Sequence, residues 1–178
     1  KRRDGFSETG PEMKNNREES FLRLIRRSQR GKLKIYLGYA AGVGKTYQML
    51  LEARRLKEYG INVMVGVVET HGREEMELLL EGLEVVPGKT IFHHGIRIEE
   101  MDTDAVISLR PDVVLVDEPA HANVPGGRNE KRYEDIEEIL ASGIHVISAM
   151  NVQNLESLYE TVEGITGIKV RERVPDRF

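Results

Sequence analysis

Lys45 and Thr46 place an ammonium and a hydroxyl directly after the bend Gly42-Val43-Gly44. Glycines let a backbone curl until successive N–H groups point at one anion. A helical pattern begins at the same place, and a helix start adds unpaired N–H groups and the positive end of its dipole. Lys45 would reach the outer phosphates of a nucleotide, and Thr46 would place its hydroxyl on Mg2+. Gly42, Val43, Gly44, Lys45, Thr46 and Tyr47 are therefore the expected cradle. The spacing is irregular. The usual G-x-x-x-x-G-K-T order needs a glycine at position 39, where this chain has Tyr39, with Gly38 one residue early. The competing reading is an ordinary glycine-rich turn with Lys45 merely exposed. The apolar run before the bend, residues 33–37, and the helical pattern after it favour a phosphate-binding loop.

Val113-Val114-Leu115-Val116 runs straight into Asp117-Glu118, an apolar strand ending in acid. Asp117 is the expected second Mg2+ ligand beside Thr46, because a hard cation takes oxygen donors. Glu118 is the candidate to orient or deprotonate an attacking water. An acidic turn at a strand end is the plainer alternative. Glu69, His71 and Arg73 follow the apolar run 61–68. They would sense the outer phosphate or a substrate, or else form a turn network with Arg73 paired to an acid. Asn151 and Gln153 follow the run 144–150, where Asn151 would read the outer phosphate or cap a helix. Arg128 lies in a Pro-Gly-Gly loop that looks mobile, and a surface ion pair is favoured there over an arginine finger. His93 and His94 are neighbours that point to opposite faces of a strand, with His121 distant, so a shared metal is disfavoured.

Bringing these groups together requires a sheet. Apolar runs at residues 33–37, 61–68, 113–116 and 144–150 alternate with helical patterns at 46–59, 73–81, 103–109, 133–140 and 155–162. Short strands are expected near 85–87 and 90–92 with a turn at Gly88-Lys89, and an edge strand at 168–174. The alternation predicts an α/β chain: a three-layer, P-loop NTPase-like fold on a mostly parallel sheet of five or more strands. In such sheets ligands sit beyond the carboxyl ends of the strands. The four polar clusters all fall there. Residues 1–16 read as a flexible leader, 17–30 as a basic amphipathic helix and 31–178 as the nucleotide-binding domain.

Composition narrows the class. A chain of 178 residues suits one domain, and a net charge of −4 gives no basic field for nucleic acid. The absence of cysteine excludes disulfides and cysteine-built metal centres, and fits a reducing, cytoplasmic setting. The apolar runs are strand-sized, too short to span a membrane.

The segments GYAAGVGKTYQML, VVETHGRE, VLVDEPAHANVPGGRNEKRYEDIEEIL, NVQNLESL and VRERVPD occur in one order. Together they resemble the N-terminal cytoplasmic domain of the KdpD-type sensor histidine kinases that govern potassium-uptake operons. The resemblance implies that Gly38 is a family trait. Pro119 and Ala122 depart from the family pattern, which usually has Leu and Thr there. It further implies a regulatory input domain that binds ATP and Mg2+, in the cytoplasm, ahead of membrane-spanning and transmitter segments. Its partners would be those downstream domains and a cognate response regulator. Hydrolysis is expected to be slow. The rivals are a small-molecule phosphotransferase, which would need a basic lid, and a scaffold with a relic loop.

Overall fold

The computed structural model describes residues 30–178 apart from residue 168. The expected leader and all of the expected basic helix but Arg30 lie outside the described residues. β1 (Leu33–Gly38) enters the glycine bend and leaves it as α1 (Lys45–Glu58). β2 (Val63–Val67), α2 (Glu74–Leu80) and the short β3 (Glu84–Val85) follow. Next come β4 (Lys89–His93), β5 (Ile96–Glu100), α3 (Thr103–Leu109) and β6 (Val113–Val116). The chain continues as α4 (Arg132–Ala141), β7 (His145–Asn151), a 3-10 turn over Val152–Asn154 and α5 (Tyr159–Thr166).

The main sheet has five strands in the order β1-β7-β6-β2-β3, and every pairing is parallel. A parallel strand covered on both faces needs an apolar residue at each position. β6 meets that need, since Val113, Val114, Leu115 and Val116 are all fully buried. Alternate side chains then serve opposite layers. Leu115 joins Met49, Leu50, Ala53 and Leu56 of α1 on one face. Val114 and Val116 join Val106 of α3 and Ile136, Ile139 and Leu140 of α4 on the other. The result is the three-layer, P-loop-like α/β architecture that the alternation predicts.

The order has one consequence for the site. β7 lies between β1 and β6, with Gly38 in register with Asn151 and Leu115 with Ile147. The strand that delivers Asn151 is thus wedged between those that deliver Lys45 and Asp117. Arg54 of α1 donates to the carbonyls of Leu78, Leu79 and Glu81 at 3.1, 3.4 and 3.0 Å. These are groups the last turn of α2 cannot satisfy itself. That clamp sets α2, and the turn before it, against α1.

Three expectations are corrected. The turn foreseen at Gly88-Lys89 does not join two strands of one hairpin. β3 adds to the main sheet beside β2, whereas β4 and β5 form a separate antiparallel hairpin. Its reversal is at His94-Gly95, both with positive φ, a pair of conformations that suits a tight hairpin turn. The foreseen edge strand at 168–174 is reduced to a single parallel bridge between Leu155 and Val174. Leu155 packs with buried Val174 and so stays out of the helix, which begins only at Tyr159. Lastly, the loop between β6 and α4 is tied down. Buried Asp135 accepts from Thr103 Oγ1 at 2.9 Å, Asn123 Nδ2 at 2.6 Å and Asn129 Nδ2 at 2.9 Å. Arg128 pairs with Asp104 and Glu138.

Asp135→Ala removes an acceptor from three donors, of which buried Thr103 Oγ1 keeps no other partner among the described residues. It is expected to cost about 1–3 kcal/mol or more and to raise amide exchange across residues 119–131. Unchanged exchange there would refute the anchoring role of this carboxylate.

Candidate functional site

The bend between β1 and α1 owes its shape to its glycines. Gly42 and Gly44 hold φ values of 80° and 85°, in the left-handed region where a side chain is strained. Gly38 is needed for a different reason. A Cβ placed on it would lie 2.6 Å from Val43 Cγ2 and 2.7 Å from Lys45 Cδ. The Lys45 stem crosses directly over this backbone, so the glycine belongs at position 38, and Tyr39 turns outward, 78% exposed. The irregular spacing is therefore a steric requirement of this loop.

Lys45 Nζ donates to Ala40 O at 2.8 Å and to Asn151 Oδ1 at 2.7 Å. Burial lowers its pKa, and the carboxylates of Asp117 and Glu118 oppose that shift. Thr46 Oγ1 donates to Asp117 Oδ2 at 3.0 Å. Asp117 is buried, and burial raises its pKa from 3.8 to about 6, against the hydrogen bonds from Thr46 and from the N–H groups of Glu118 and Glu69. Glu118 sits at φ 51°, an uncommon conformation for a side-chain-bearing residue. Its N–H is held by Asp117 Oδ1 at 2.9 Å and Ala149 O at 3.3 Å.

These groups face one cleft of about 490 Å³. Gly42, Gly44, Lys45, Thr46 and Tyr47 line it, together with Glu69, His71, Arg73, Asp117, Glu118, Asn151 and Gln153. Val43 is 40% exposed and does not line the cleft. Arg73 Nη2 comes within 3.7 Å of the Cβ position on Gly42. Among the described residues its guanidinium has no hydrogen bond or ion pair, so the expected pairing with an acid is not made. The turn network that does form uses Thr70, whose carbonyl accepts from Arg73 N at 3.1 Å and whose hydroxyl meets Glu77. Arg128 is engaged elsewhere, as its two acidic partners require. His93 and His94 stack edge to face at the hairpin turn, 4.1 Å apart, and His121 faces Glu100 at 3.4 Å.

Two contributions escaped the sequence reading. Glu172 lines the cleft from much later in the chain, its carbonyl accepting from Nδ2 of Asn154, in the polar cluster after β7, at 2.9 Å. Arg132 is buried beneath the acids and donates from Nη1 to Asp117 O at 3.1 Å. Nothing in the charged run NEKRYED marks one arginine as buried.

The fold defines a P-loop-like α/β domain, with a polar cleft at the carboxyl ends of its strands. Comparison with known proteins goes further. Residues 29–178 match the family described as KdpD, osmosensitive K+ channel His kinase sensor domain, and the chain belongs to that family. It is 54% identical over 149 residues to the sensor protein KdpD of Escherichia coli K12, covering 84% of this chain and 17% of that protein. It is 53% identical over 151 residues to the sensor protein KdpD of Mycobacterium tuberculosis H37Rv, covering 85% and 18%. A putative sensor protein KdpD of Synechocystis is 54% identical over 150 residues, covering 84% and 40%. The chain thus spans well under half the length of each of these relatives.

Two measurements test the geometry. Gly38→Ala is expected to cost about 1–3 kcal/mol by overpacking against the Lys45 stem, read by urea unfolding; a neutral change would refute the crossing. Ionised Asp117 weakens the fold, so its penalty is present above about pH 6 and is relieved as pH falls toward 3.8. Asp117→Asn is expected to stabilise the chain by about 2–3 kcal/mol at neutral pH and to flatten that pH dependence.

Proposed function

We propose that this domain binds ATP with Mg2+ and serves as a nucleotide-responsive input domain of a membrane-bound sensor histidine kinase for potassium uptake. The observation that carries the reading is the convergence of Lys45, Thr46, Asp117 and Asn151 on one cleft at the carboxyl ends of β1, β6 and β7. The donor set suits Mg2+: a hydroxyl and a carboxylate, both hard oxygens, stand 3.0 Å apart. Among the described residues no cluster of three or more His, Asp or Glu stands ready to share a metal. A cation here would complete its shell with phosphate and water. When bound, Mg2+ would neutralise phosphate charge. The chain's own part is to hold the outer phosphates with Lys45, Arg73 and Asn151 and to seat the inner ones on the helix start.

Slow hydrolysis follows from what is missing around Glu118. Arg128 is committed to Asp104 and Glu138, which among the described residues leaves Arg73 as the one guanidinium lining the cleft. The same commitment weighs against the phosphotransferase reading, which needs a basic lid. Ligand response falls on the Glu69–Arg73 side, since the loop after Asp117 is already anchored. There His71 and Gly72 carry positive φ and Arg73 is exposed. By kinship with the sensor proteins, the parent would be a membrane kinase acting on a response regulator, with this domain on the cytoplasmic side. No described helix is long and apolar enough to cross a membrane.

ATP with Mg2+ at a hundred times its Kd is expected to stabilise the domain by about 2.7 kcal/mol, read as a melting shift, with a smaller shift in EDTA. Lys45→Ala is expected to abolish binding in calorimetry. A wild-type chain that melts unchanged with every nucleotide tried would overturn the proposal.

A further inference from the structure

Arg132, at the start of α4, is 4% exposed, and its Nε has no partner. A buried guanidinium with an orphaned N–H is a costly way to fill space, and an apolar side chain of similar volume would do so with less penalty. What an apolar side chain cannot do is donate. Nη1 of Arg132 reaches the carbonyl of Asp117 at 3.1 Å, on the same residue whose carboxylate meets Thr46. Nη2 lies 3.9 Å from Glu100 Oε2 at the end of β5. Glu100 Oε1 in turn accepts from Val124 N at 3.0 Å, and Arg132 N donates to His121 O at 3.1 Å.

We propose that Arg132 is a positioning residue for the cation site: it pins the Asp117 carbonyl so that the carboxylate stays turned toward Thr46, and it ties that turn to Glu100 of the hairpin. The inference rests on the nucleotide reading and deepens it. Asp117 is held at both ends, its carbonyl by Arg132 and its carboxylate by Thr46 Oγ1 and the N–H of Glu118. With that peptide fixed, Glu118 keeps its left-handed conformation at the lip of the cleft. A purely electrostatic role has the opposite sign. Arg132 lies within the field of Glu100, Glu118, Glu69 and Asp117, and a cation there repels a second cation. Removing only that repulsion tightens divalent binding, whereas removing the clamp loosens it. Groups that brace a metal ligand from behind are worth about 10–100-fold in metal affinity.

The test is Mn2+ binding to the ATP-loaded chain, followed by electron paramagnetic resonance, with ATP affinity in EDTA measured beside it. Arg132→Gln is expected to weaken Mn2+ by about 10–100-fold while metal-free ATP affinity stays within about twofold. Arg132→Lys, which keeps the charge but lacks the fork, is expected to fall between Gln and wild type. Melting without ligand shows whether each variant folds, and if the Gln variant does not, the Lys variant decides. Any folded variant that holds Mn2+ as tightly as wild type, or more tightly, overturns the proposal. A wild-type chain that binds no ATP refutes the nucleotide reading itself, and this inference with it.

Discussion

The hydrogen bond from Thr46 to Asp117, at 3.0 Å, joins the first turn of α1 to the end of β6, a strand that is not a neighbour of β1. It can form only if β7 separates β1 from β6 at the correct register, and only if β6 is apolar enough to run through the centre of the sheet. Asp117 is carried into a dry position by that strand, and its raised proton affinity follows from the same burial. The cleft is therefore a product of the core. The valines of β6 that exclude water from the sheet also deliver the carboxylate, and the glycines that let Lys45 lie back across β1 deliver the ammonium.

The two walls of the cleft differ in how firmly they are held. On one side Asp135 gathers Thr103, Asn123 and Asn129, and Arg132 braces Asp117 from below. On the other, the turn from Glu69 to Arg73 hangs on a few main-chain bonds and one threonine. The asymmetry sets a fixed reference beside a part that can shift. The family to which the chain belongs makes a reporting role a natural reading.

Most of the architecture was legible in the sequence because its strong signals are local. Four apolar runs, each ending in polar residues, specify buried parallel strands and a row of functional groups at one end. The glycine-rich bend between β1 and α1 was legible down to Lys45 and Thr46, although the reason for Gly38 was not. That reason is a contact between a backbone and a side chain seven residues later, which no spacing rule encodes. Asp135 and Arg132 were illegible for the opposite reason. They sit in a run of charges that reads as a solvated helix start, and only tertiary burial turns them into anchors. The segment after residue 154 misled because Leu155 and Leu158 have helical spacing, yet Leu155 is claimed by a bridge to Val174. The hairpin at residues 89–100 was missed because β3, only two residues long, leaves the pattern for a different sheet.

The strand order also bears on how the chain is made. β1 is synthesised before every other described strand, yet within the described residues its neighbour in the sheet is β7, which begins at His145. More than a hundred residues must be synthesised before Leu33 can meet Val146. Contacts that span so much chain form slowly, and until they do an apolar ribbon waits unsheltered beside the growing polypeptide. The end of β1 is thus translated well before the strand that completes its pairing in the sheet.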